Sequence, residues 1–79
     1  MTAPRITDIV TAQGKNSTTF VIWYKAPRGR KEYTLMASGR NKATAQDITA
    51  LTKQYGSICQ AISKLNLDII ECDNWNSLV

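Results

Sequence analysis

The amino-acid sequence predicts one α+β domain, in which an antiparallel sheet of three or four strands carries a helical layer on one face. Three observations support this fold class. Residues 5–38 contain short runs rich in β-branched and aromatic residues between turn formers, which is typical of consecutive strands. Residues 44–65 change to a period of three or four, which indicates helix. A short isoleucine-rich run then predicts a last strand, so the expected order is β-β-β-α-(α)-β.

The composition is that of a single small globular domain. The chain has 79 residues, of which 43% are hydrophobic and 20% are charged, too apolar for a disordered tail. We therefore treat residues 1–79 as one domain with a thin core. A domain of this size buries only about 60% of the surface that its unfolded chain exposes, so its stability is expected to be marginal.

The first two strands are predicted on either side of a turn. Arg5–Ala12 is rich in Ile, Val and Thr, and the turn formers of Gln13–Ser17 follow it. The second strand covers Thr18–Tyr24, where β-branched and aromatic residues are concentrated. The sequence therefore predicts a first hairpin, which a third strand over about residues 31–38 extends into a meander.

A basic turn joins the second and third strands and is the first candidate site. Pro27 and Gly29 interrupt the strand pattern there. The cations of this turn and of the loop after the third strand are Lys25, Arg28, Arg30, Lys31, Arg40 and Lys42. We expect them to contact the phosphates of a nucleic acid, with Tyr24, Tyr33 or Trp23 available to stack on bases or sugars. The alternative is that these charges are only solvated and protect the strand edges from aggregation.

The charge is distributed unevenly along the chain. Residues 1–42 contain eight Lys or Arg and two acidic residues, a balance of +6, whereas residues 43–79 have a balance of −2. This distribution predicts a basic sheet and loops beside a mildly acidic helical half. Such a surface would meet a polyanion on one side.

Residues 44–65 are expected to form the helical layer. Ile48 and Leu51 lie on one face of a first helix, for which Thr44 is a candidate N-cap. Gly56 either ends this helix or weakens a single longer one, and Ser57 favours two helices because it starts a second capping pattern, S-x-x-Q. The pair also fits a helix-turn-helix in outline, but its outward face offers one cation, so we expect an α-hairpin that covers the sheet.

The last strand is predicted over Leu67–Cys72, and the residues after it are polar apart from Trp75 and the final two. With this strand in place, one core is expected between the sheet and the helices. The candidate core residues are Ile9, Phe20, Ile22, Leu35, Ile48, Leu51, Ile58, Ile62, Leu65 and Ile69.

The second face of the sheet predicts a protein interface. A single helical layer covers one face only, and alternation projects Val21, Trp23 and Met36 from the face opposite Phe20. We expect these side chains to be covered by the region around Trp75, by a second copy of the chain in a homodimer, or by a partner protein. In the last case the protein would be a stoichiometric inhibitor or adaptor.

No catalytic or metal-binding motif is present in the sequence. It contains no His, and Cys59 and Cys72 lack the spacing of a zinc motif, so we expect two small buried hydrophobes. We therefore expect a non-enzymatic protein with no cofactor, no metal and no small-molecule substrate. The longest apolar run is residues 20–24 and no secretory signal is recognisable, so a cytoplasmic protein without membrane contact is expected.

Overall fold

The computed structural model describes residues 3–40 and 42–72 and confirms the α+β fold. One antiparallel sheet has the strand order β1-β2-β3-β4. Its strands are β1 (Arg5–Gln13), β2 (Thr18–Lys25), β3 (Glu32–Gly39) and β4 (Asp68–Cys72). Two helices, α1 (Ala45–Tyr55) and α2 (Ile58–Lys64), connect β3 to β4 and pack on one face of the sheet.

The ends of both helices are set by local capping interactions. The Asp47 backbone N–H donates to Thr44 Oγ1 at 3.2 Å, and the Thr44 N–H donates to the Asp47 carboxylate at 3.0 Å, so the capping box is complete. Gly56 adopts a left-handed conformation with φ 70°, which ends α1. Ser57 then accepts a hydrogen bond from the Gln60 N–H and begins α2. The prediction of two helices is thus confirmed.

The core lies between the helices and one face of the sheet. Burial alternates strictly along β2, where Phe20, Ile22 and Tyr24 are fully buried. Ile48 of α1 and Ile58 of α2 pack over them from the helical layer. The helices therefore contribute to the structure as a cover for the sheet.

The predicted core is confirmed at six of its ten positions, which are Phe20, Ile22, Leu35, Ile48, Ile58 and Ile62. Ile9, Leu65 and Ile69 are half-buried at its margin. Leu51 is also only half-buried, because Thr52 occupies the buried position one turn after Ile48. The Thr52 hydroxyl donates to the Ile48 carbonyl at 2.7 Å, so a polar side chain is satisfied there. The core also includes Tyr24, Ala37, Ala61 and Leu67.

Both edge strands contain an irregularity in their pairing. The register between β1 and β2 shifts between Ile6 and Asp8, which leaves Thr7 as an additional residue. In β4, Ile70 is the additional residue, between two residues that pair with β3. Each irregularity changes which side chains of an edge strand share a face with the central strands.

Candidate binding surfaces

The loop between β2 and β3 carries the basic tip, which we define as Lys25, Arg28, Arg30 and Lys31. The loop closes through a hydrogen bond from the Gly29 N–H to the Ala26 carbonyl at 3.1 Å. Arg5 of β1 donates to the carbonyl oxygens of the same two residues, Ala26 and Gly29. Arg28, Arg30 and Lys31 are exposed. A guanidinium from the first strand therefore holds a loop that presents its own cations to solvent.

The structure excludes Tyr24 from the base-stacking role that the sequence predicts for it. Tyr24 is 0% exposed, and its hydroxyl lies 3.8 Å from Cys72 Sγ. Its ring stacks on that of Tyr33, with 5.7 Å between the centroids. Tyr33 is half-buried and also has Lys31 Nζ at 5.3 Å from its ring centroid. The strand alternation that places Tyr24 beside Phe20 thus directs it into the core.

Arg40 and Lys42 lie at the other end of the sheet from the basic tip. Arg40 follows the last residue of β3, and the pairing of Gly39 with Thr18 places it beside the start of β2. The basic tip begins at Lys25, the last residue of β2. A strand of 8 residues spans about 26 Å. The predicted phosphate-binding cations are therefore divided between two ends of the sheet.

A cleft at this second end gathers Arg40 and Lys42 with a further cation, Lys15. The cleft has a volume of about 520 Å³. Its lining residues are Gln13, Lys15, Asn16, Ser17, Thr18, Arg40 and Lys42. We call it the basic cleft. Sequence reasoning omitted Lys15, although in a meander the first turn and the loop after the third strand lie at the same end of the sheet.

The open face, the sheet surface that points away from the helices, carries an apolar strip. Val21 of β2 pairs with Met36 of β3 on one side and with Val10 of β1 on the other. Trp23 lies two residues further along β2 and, like Val21 and Met36, is half-buried. Val10, which the prediction of the interface omitted, is 48% exposed on this face. The strip thus crosses the central strands and continues onto an edge strand.

Acidic side chains line the same open face. They are Asp8 of β1, Glu32 of β3, and Asp68 and Glu71 of β4. Asp8 pairs with Trp23 and Glu71 pairs with Met36. The Thr7 hydroxyl donates a hydrogen bond to the Glu32 carboxylate at 2.6 Å. Among the acidic residues that the structure describes, only Asp47, the capping residue of α1, lies elsewhere.

The expectation of a basic sheet and loops beside an acidic helical half therefore holds for the loops and not for the division between sheet and helices. Strand β4 returns Asp68 and Glu71 from the C-terminal half of the chain to the sheet, beside β3. Most of the cations lie in loops, and loops in a meander lie at the ends of the strands. The described carboxylates of the sheet gather on the open face, where Arg5 and Lys25 also lie in register with Glu32. The remaining cations of the strand loops lie at the two ends of the sheet.

Three further features of residues 3–40 and 42–72 bear on function: the grouping of metal ligands, the state of the cysteines and the length of the helices. Within these ranges no three His, Cys, Asp or Glu side chains are grouped as metal ligands. Cys59 and Cys72 are free and half-buried, and both pack against the core. No helix in the described part of the chain has the length and apolar character needed to cross a membrane.

Comparisons of this chain with protein-family models, with curated proteins and with solved structures find no match. The described part of the chain presents three candidate binding surfaces. These are the open face, the basic tip and the basic cleft.

Proposed function

We propose that this protein acts without catalysis, by binding one partner protein through the open face. The observation that supports this most directly is the apolar strip of Val21, Trp23 and Met36, which the protein's own helical layer does not cover. Trp75, the other cover that the sequence suggests for this strip, lies outside the described residues. Contiguous apolar patches on soluble domains mark interaction sites. Aromatic residues and methionine are also enriched in protein interfaces.

The acidic groups of the open face indicate the chemistry of the partner. A surface with an apolar centre and basic groups at its margin complements Asp8, Glu32 and Glu71. A nucleic acid would be repelled here, because its phosphates would face carboxylates. A homodimer fits less well than a basic partner, because two open faces related by a twofold axis would bring the same acidic margins together.

Affinity capture with matched variants tests this proposal. Trp23→Thr removes the largest side chain of the strip and keeps a residue that favours strands. From nuclease-treated native lysate, the parent chain should capture a partner protein. The variant Trp23→Thr should not capture this protein, and the double variant Arg28→Ala plus Arg30→Ala should still capture it. Recovery of the same proteins by all three chains would exclude the open face as the interface. Light scattering of the purified parent chain distinguishes a homodimer from a binding-competent monomer.

Binding of nucleic acid by the basic tip is the second candidate function. The observation in its favour is that Arg28, Arg30 and Lys31 are exposed on a loop held by Arg5. Phosphate contacts position a protein on nucleic acid without reading its sequence, so little sequence preference is expected. For either function we propose a cytoplasmic location, which the two free thiols of Cys59 and Cys72 favour because a reducing compartment keeps them unpaired.

A further inference from the structure

We infer that the basic cleft is a binding site for a phosphate group. Its three cations come from two segments of the chain that are distant in sequence. Lys15 lies on the turn between β1 and β2, and Arg40 and Lys42 both lie on the connection between β3 and α1. The fold brings these segments together at one end of the sheet, and no local sequence motif does so.

The donor set of the cleft matches a phosphate better than a carboxylate. A phosphate monoester carries a charge of about −1.5 to −2 at pH 7, so two or three cations are needed to balance it. Arg40 offers a planar pair of donors, and Lys15 and Lys42 offer compact charges. A neutral donor from the exposed Ser17 hydroxyl group is also available to phosphate oxygens. A single carboxylate would leave most of this positive charge unbalanced.

No competing anion occupies the wall of the cleft. Its lining residues all belong to the described part of the chain, and none of them is acidic. This contrasts with the open face, where Asp8, Asp68 and Glu71 lie. The cations of the cleft are therefore available to an external ligand.

Two close backbone approaches hold the walls of the cleft in place. The Gly14 N–H donates to the Ser17 carbonyl at 2.7 Å, which closes the turn that carries Lys15. A Cβ at Gly14 would lie only 3.1 Å from the Ser17 oxygen, so glycine permits this tight turn. On the other wall Gly39, the residue before Arg40, pairs with the buried Thr18. The backbone of the site is thus held before a ligand binds, and binding has to order only the exposed side chains.

The site is separate from the surfaces of the proposed function. The basic cleft lies about 26 Å, one strand length, from the basic tip. It also lies at a strand end and not on the open face. The phosphate could belong to a small phosphate ester or to the backbone of a nucleic acid, and both offer the same oxygens.

Nuclear magnetic resonance titration of the ¹⁵N-labelled protein tests the site with three probes: inorganic phosphate, adenosine monophosphate and a ten-nucleotide oligothymidylate. We expect saturable shifts at the amides of Ser17, Thr18 and Arg40. The cleft variant, in which Lys15, Arg40 and Lys42 are each replaced by glutamine, should weaken phosphate binding at least tenfold. The tip variant makes the same change of charge at Arg28, Arg30 and Lys31 and should stay within twofold of the parent.

The three probes also distinguish the source of the phosphate. If the oligonucleotide binds no more tightly than the mononucleotide, the ligand is a small phosphate ester. If it binds more than tenfold more tightly, and the cleft variant lowers the salt slope by about 0.7 per lost contact, the ligand is nucleic acid.

Two results would overturn the proposal. One is the absence of saturable shifts at the cleft, and the other is equal weakening by the cleft and tip variants, which would show an effect of net charge alone. Circular dichroism confirms that each variant is folded. If the cleft variant does not fold, the single change Lys15→Gln on the exposed turn replaces it and should weaken phosphate binding at least threefold. Unchanged binding by that variant would also count against the site.

Discussion

Replacement of Gly39 by alanine tests how tightly the end of β3 packs against the chain that leads into β4. A Cβ at Gly39 would lie 2.6 Å from Leu67 Cδ2 and 3.1 Å from the Asn66 carbonyl oxygen. Two carbon atoms in optimal contact are about 3.5–4.0 Å apart, so the first distance is a severe overlap. Leu67 is only 5% exposed and cannot turn into solvent, and the second contact is with backbone. Gly39→Ala therefore overpacks the core.

Overpacking of a core typically costs about 1–3 kcal/mol. In a domain of this size each kcal/mol lowers the melting temperature by about 4–8 °C, so we expect Gly39→Ala to lower Tm by roughly 4–24 °C in thermal circular dichroism. The control is Gly29→Ala on the basic-tip loop, where the nearest contact of a new Cβ is the Ala26 Cβ at 3.2 Å. An unchanged Tm for Gly39→Ala, or an equal loss for the control, would refute this account of the packing.

Three other substitutions test the helix cap and the two candidate functions. Thr44→Ala should lower the free energy of unfolding by about 1 kcal/mol, because it removes the N-cap acceptor of α1; urea denaturation measures this. Arg28→Ala with Arg30→Ala should weaken binding to all DNA and RNA sequences equally and lower the salt slope by about 0.9 per duplex contact, as measured by fluorescence anisotropy. Trp23→Thr should abolish capture of the partner protein and leave circular dichroism unchanged.

The helix-cap and basic-tip substitutions each have a control in the same chain. Thr49→Ala removes a hydroxyl that donates to the Ala45 carbonyl within α1, and it should not destabilise the helix because alanine has the higher helix propensity. Lys53→Ala with Lys64→Ala removes the same charge as the arginine pair but on the helices, so it should keep any tip-dependent binding. An unchanged free energy of unfolding for Thr44→Ala would contradict the role of the N-cap. Equal loss of nucleic-acid affinity in the lysine and arginine variants would contradict binding by the basic tip. Capture of the partner protein by Trp23→Thr would contradict binding through the open face.

The elements of this fold could be predicted because their signals are local. The capping box of Thr44 and Asp47 and the cap at Ser57 act over three residues, and both form as the sequence indicates. Alternation along β2 correctly assigns Phe20 and Ile22 to the core. The sequence predicted that Leu51, three residues after Ile48, is buried. A residue four positions after Ile48 lies on the same helix face, and in the structure that residue, Thr52, is the buried one.

The candidate surfaces could be predicted only in part. Alternation places Val21 and Trp23 on one face of β2, opposite the buried residues, as expected. Alternation could not predict which residues of β1 lie beside Val21 and Trp23. Ile6 and Ile9 are three positions apart, and strict alternation would place them on opposite faces. The additional residue Thr7 places them on the same face of the sheet. The pairing of Asp8 with Trp23 depends on that irregularity.

The sequence by itself determined the class of fold, the helix ends and the alternating faces of the central strands, because hydrogen bonding and side-chain direction over a few residues decide these features. Only the tertiary structure decided which charges lie together. The return of β4 beside β3 brings Asp68 and Glu71 to the open face, and the meander brings Lys15 to Arg40 and Lys42. Such groupings depend on strand order and register, which contacts between distant segments set, so a charge count along the chain does not report them.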